Sequence, residues 1–238
     1  ADIHLHLYGS IHSADYLEMV RNRDVKWDRY ESEYYAAYGV ATPVRDILER
    51  YRSGEPGAAE EFHRLFVFGD DDAGSFQRFQ AKINMIAGIA DELRAWIHKI
   101  VGAQRRQSIR YAEQRELIGA GLKGAQAKDH LTAILEEYAR YEKSEYQPRL
   151  APSLPRGDPW PYWEITKELA LGPNGHLLTG IDFCYLEEGY PPKNKKELFA
   201  EVRDFNRRHP ERALAILYHV GESFEDKLLE SAIRWVHE

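Results

Sequence analysis

Two histidines near the start of the chain and a third roughly two hundred residues later have the types and spacing for metal-assisted hydrolysis. His4 and His6 lie in Asp2-Ile3-His4-Leu5-His6-Leu7-Tyr8-Gly9-Ser10, and His219 lies in Leu217-Tyr218-His219-Val220-Gly221-Glu222. A catalytic zinc takes about three protein ligands and keeps one position for water. A carboxylate close to that water can move its proton, and Glu222, three residues past His219, has the reach for this. Either motif alone is better read as histidines capping a strand end with hydrogen bonds to carbonyls. Both together, at opposite ends of the chain, favour a shared metal held by His4, His6 and His219.

That reading requires elements that bring distant residues to one place. The alternation of Ile3, Leu5 and Leu7 with polar residues predicts a strand ending in the Gly9 turn. Residues two apart on a strand share a face, so His4 and His6 point the same way. Helical spacing follows over residues 13–23, 27–40, 42–52 and 58–67, with Ser13 and Thr42 as caps. Tyr30, Tyr34, Tyr35 and Tyr38 read as helix packing with hydroxyls at the rim, and Gly69-Asp70-Asp71-Asp72 as a solvated turn. The longest periodic stretch, 75–107, predicts one helix or two broken near Gly88.

A strand over 108–115 places Tyr111, Glu113 and Arg115 on one face, which needs internal partners if buried. Helices are expected at 125–141, 160–171, 195–208 and 224–236, alternating with strands at 148–155, 177–186 and 213–218. The second of these strands is strongly apolar yet contains Asp182. Repeated strand–helix alternation predicts parallel strands with crossover helices, an α/β fold whose chemistry sits at the strands' C-terminal rim.

The chain has 238 residues, 43% of them apolar and 30% charged, enough for one sizeable core. A net charge of −7 without a basic block argues against a nucleic-acid backbone as partner. No apolar run reaches membrane-spanning length. Cys184 is the only cysteine, which excludes internal disulfides and makes a reducing, cytoplasmic setting the expectation. The first strand begins at residue 2 without an initiator Met, so the natural N-terminus is expected upstream.

These motifs resemble a known family. His4-Leu5-His6-Leu7-Tyr8-Gly9 is similar to the His-x-His-Leu-x-Gly opening of adenosine deaminases, members of the metal-dependent amidohydrolase superfamily. His219-Val220-Gly221-Glu222 resembles their His-Ala-Gly-Glu. Tyr111-Ala112-Glu113-Gln114-Arg115 is similar to a Tyr-x-Glu-x-Arg strand, and Gly180-Ile181-Asp182 to the strand before the His-Ala-Gly-Glu one. The resemblance runs in order over nearly the whole chain. It implies a (β/α)8 TIM-type barrel, a single zinc, and hydrolytic loss of ammonia from a purine nucleoside or base, with Glu222 protonating the ring nitrogen.

Tyr8, Gly9, Tyr185 and Gly221 fall at or near the family's substrate-binding positions. Tyr8 stands where the family has a ribose-holding Asp, and Tyr185 near its substrate-binding Gly. The family's further catalytic His and its Asp ligand come after later strands. The resemblance therefore places them beyond Glu238 and implies one incomplete barrel domain over 1–238, with about five β/α units and a helical insertion at about 13–107. A small purine substrate is the expected partner, and a homo-oligomer is compatible with the sequence. Two other readings keep the same residues: a different metal-dependent amidohydrolase or phosphoesterase, and an inactive barrel serving as a scaffold.

Overall fold

Alternating apolar and polar residues at the N-terminus form β1 (Asp2–His6), the first strand of a parallel three-stranded sheet with β2 (Tyr111–Leu117) and β3 (Gln147–Ser153). The computed structural model describes residues 1–72, 75–86, 92–118, 121–187 and 189–223. The expected helix at 224–236 and the expected break near Gly88 lie outside them. The register pairs His6 with Arg115 and Arg115 with Ala151, so these three residues share one face of the sheet.

β4 (Gly180–Ile181) and β5 (Ala215–Ile216) form a second parallel pair. Single parallel bridges, Leu150 to Leu178 and Ser153 to Asp182, join β4 to β3. The strands are thus neighbours in chain order, each parallel to the next. Between β2 and β3 runs α7 (Ala125–Tyr141), between β3 and β4 α8 (Trp160–Ala170), and between β4 and β5 α9 (Lys196–Arg208). This is the α/β architecture that the alternation predicts.

The two later strands are much shorter than their apolar sequence suggests. Apolarity here reflects burial: Leu177, Ile181, Phe183 and Leu214 are core residues, as are Trp163, Val202 and Phe205 of the helices. Gly180 is required where β4 meets β5, because a Cβ there would stand 2.7 Å from the Ala215 carbonyl oxygen. Gly180→Ala should therefore lower stability by about 1–3 kcal/mol, the usual range for overpacking. The denaturant midpoint of purified variant against wild type measures this.

The chain divides into two compact units, residues 8–103 and residues 1–7 with 104–238. The described part of the first group is built of helices α1 (Ser13–Val20), α2 (Asp28–Tyr38), α3 (Val44–Arg52), α4 (Ala58–Phe66), α5 (Phe76–Ile86) and most of α6 (Leu93–Arg106). Its core holds Tyr16, Leu17, Tyr30, Ile47, Phe62, Met85 and Trp96. Tyr30 is buried, while Tyr34 and Tyr38 stack at 4.2 Å nearer the surface.

The acidic turn differs from expectation. Asp72 is buried, paired with Lys82 at 2.8 Å, and accepts a hydrogen bond from the Tyr38 hydroxyl at 2.6 Å. Among the described residues, no helix is long and apolar enough to cross a membrane.

Candidate metal centre

β1 presents His4 and His6 from one face, and the chain leaving β5 presents His219. The Nε2 atoms of His4 and His219 lie 2.8 Å apart, and those of His6 and His219 3.1 Å apart. A flat sheet would separate first and fifth strands by four spacings, about 19 Å. Two histidine side chains cannot span that distance, so the strands curl to bring their ends together. His4 is exposed, whereas His6 and His219 are half-buried, so the cluster opens to solvent on the His4 side.

The orientation of His219 is set from behind. Its Nδ1 donates to Asp182 Oδ1 at 3.1 Å, and Asp182 Oδ2 accepts from Ser153 Oγ at 2.8 Å. Burial alone would raise the Asp182 carboxyl, but its bonds and charge contact with His219, then the bond from Ser153, hold it below the usual range. With Nδ1 protonated, Nε2 carries the lone pair that faces the other two rings. An acid that fixes the tautomer of a metal-binding histidine is a familiar support of such sites.

His219 Nε2 offers one lone pair to two neighbours, while a cation could be shared by all three nitrogens. Zinc–nitrogen distances of about 2.0–2.1 Å place ligand nitrogens about 3.3 Å apart in a tetrahedral site. The separations here are a few tenths of an ångström smaller, within reach of slight ring rotation. Among the described residues these three histidines form the one group of three or more potential metal ligands. The donor set fits zinc.

Electrostatics divide the three rings. Burial lowers His6 to about 4, assisted by the charge of His219, and lowers His4 for the same two reasons. Burial also disfavours protonated His219, but the Asp182 hydrogen bond and charge outweigh it and raise its pKa. Only His219 therefore competes with the metal for a proton near neutrality. The zinc dissociation constant should rise about tenfold per pH unit as pH falls below the His219 pKa, a slope of one proton, and steepen at lower pH as His4 and His6 also take up protons. Competition against a chelator across pH reads this slope. A three-proton slope beginning near 6.5 would mean three ordinary, independent imidazoles.

The remaining expected site residues divide between the two groups. Gly221 takes φ 82° in the turn after His219, and Glu222 follows it, its Oε2 accepting from the Tyr185 backbone N–H at 2.8 Å. The Glu222 charge acts on His4 and on His219. Tyr185 has φ 75°, a region that favours glycine, so the residue that binds the carboxylate sits on strained backbone. Tyr8 and Gly9 lie in a short turn after β1, within residues 8–103, and the Tyr8 ring stands edge-on to Trp96 at 5.3 Å. His4, His6, His219, Tyr185, Gly221 and Glu222 come together on one unit; Tyr8 and Gly9 belong to the other.

Asp182, Ser153, Arg156 and Glu187 complete the support of this site, and sequence reasoning assigned them no role. An acid inside an apolar strand signalled Asp182; the other three carry no comparable mark. The centre defines a class, an α/β protein with a candidate three-histidine metal site. Comparison with protein-family models and with curated proteins gives no match.

Proposed function

We propose that this protein is a zinc-dependent hydrolytic deaminase of the adenosine deaminase type, acting on adenosine or a related purine nucleoside or base and releasing ammonia. The observation that carries the reading is the convergence of three Nε2 atoms from strands at opposite ends of the chain, with Glu222 beside them. The curl that this convergence requires supports a (β/α)8 barrel, to which the five parallel strands would contribute an arc. His4, His6 and His219 would hold the zinc. A bound zinc lowers the pKa of water towards about 7 and polarises the bond under attack.

The protein's own residues do the rest. Asp182 keeps His219 in the tautomer that offers Nε2 to the site. Tyr185 N–H anchors Glu222 Oε2, so Oε1 carries the proton to the substrate ring nitrogen. The turn at Gly221 sets the direction in which Glu222 leaves the strand. The solvent-facing edge at His4 would admit the substrate.

Zinc-loaded protein assayed for ammonia release from adenosine, adenine and phosphorylated analogues tests this. Loss of the amino group from one of them at one zinc per chain is the expected result. Amide or phosphoester hydrolysis with two metals per chain would favour the other hydrolases. Zinc binding with no turnover would leave the inactive barrel.

A further inference from the structure

The ladder between β4 and β5 is only two residues long, yet His219 and Glu222 lie three and six residues past its end. Something other than the sheet must hold them. A continuation of ladder bonding takes the chain part of the way: Leu217 N–H donates to Ile181 O at 2.8 Å and His219 N–H to Phe183 O at 3.0 Å. Beyond that point the support comes from a buried ion pair outside the metal cluster.

Arg156, in the segment after β3, is buried. Its Nε donates to Cys184 O at 3.1 Å, and its Nη2 reaches Phe183 O at 2.9 Å and His219 O at 2.8 Å. The guanidinium also lies 4.5 Å over the Tyr218 ring. One rigid fork thus binds carbonyls on both the segment that follows β4 and the segment that carries the third histidine.

Glu187, equally buried, stands 3.5 Å from Arg156 Nη2. Its Oε2 accepts from Gly221 N–H at 3.1 Å, and its own N–H donates to Ser223 Oγ at 3.0 Å. Glu187 therefore grips the chain on both sides of Glu222, while Tyr185, two residues before it, binds the Glu222 carboxylate. The pair closes a loop of contacts around the site's proton carrier without itself being a ligand.

The geometry points to Arg156 and Glu187 as positioning residues that lock the segments after β4 and β5 together and so fix His219 and Glu222 relative to the metal. This rests on the metal-site reading above. An ion pair placed here suits that role: a lone buried charge would be costly, so each partner enforces the other's position. Arg156→Lys retains the charge but loses the planar fork, so one ammonium cannot reproduce the same three carbonyl contacts. Glu187→Gln keeps an oxygen for Gly221 but removes the charge opposite Arg156.

Both variants should be tested for zinc affinity by chelator competition, for the visible spectrum of the cobalt-substituted protein, and for amide exchange by segment. Weakening of zinc binding by about 10–100-fold is expected, the range for loss of support behind a metal ligand. The cobalt spectrum should change, and amides of 217–223 should exchange faster while those of α7 stay protected. Unchanged zinc affinity and unchanged exchange in 217–223 would overturn the assignment, as would exchange that accelerates equally throughout. If wild-type protein takes up no metal, the deaminase reading falls. The exchange measurement still decides whether the pair locks the two segments.

Discussion

His219→Ala is expected to abolish zinc binding. The variant retains only His4 and His6, neighbours on one strand, and of these His4 is exposed to solvent. Structural zinc sites are worth about 10–16 kcal/mol for a full ligand set. Shared among three or four ligands, loss of one should cost about sixtyfold or more in affinity. The fold should survive, because the ring is half-buried and stands against His4, His6 and Asp182. Stability should still fall by about 1–3 kcal/mol, since buried Asp182 loses the donor that faces its Oδ1. Elemental analysis after dialysis against a weak chelator gives the answer. Wild type should keep one zinc per chain and the variant almost none; a variant still holding one zinc would mean that His219 is not a ligand.

Glu222→Gln should separate metal binding from chemistry. The amide has the same shape, and its oxygen can still accept from Tyr185 N–H, so the turn at Gly221 keeps its form. The bond that orients His219 is to Asp182 and does not involve Glu222. What disappears is the ability to take up and deliver a proton. Loss of a general acid–base typically costs about 10²–10⁴-fold, and a group serving both proton transfers of a deamination should lie at the upper end. The variant should therefore bind zinc as wild type does and turn over the purine substrate several orders of magnitude more slowly. Turnover within tenfold of wild type would remove Glu222 from the mechanism.

The parts of the fold that were legible in the sequence are those governed by local pattern. Strand periodicity places His4 and His6 on one face, and alternation of strands with amphipathic helices gives parallel order. The polar face of Tyr111, Glu113 and Arg115 finds partners in part: the Tyr111 hydroxyl donates to Glu113 at 2.6 Å and Arg115 Nη2 to Ile3 O at 3.0 Å, while Arg115 Nε and Nη1 are buried without a hydrogen bond.

What was not legible depends on residues distant in sequence. Asp72 reads as part of a solvated run because its partners, Tyr38 and Lys82, are 34 and 10 positions away. The apolar stretch around Ile181 signals burial, while the ladder's length is set by neighbouring strands that no local pattern describes. Arg156 and Glu187 have the composition of ordinary surface residues. Their role emerges only once the segments after β4 and β5 face each other.

The shared cation is most directly tested by X-ray absorption at the zinc edge of the purified, zinc-loaded protein. A first shell of about three imidazole nitrogens at about 2.0–2.1 Å, with a lighter oxygen contribution, is the expected result. In His219→Ala, any zinc that remains should show one imidazole fewer. A shell with no imidazole, or the same shell in both proteins, would contradict the assignment of His4, His6 and His219 to one metal.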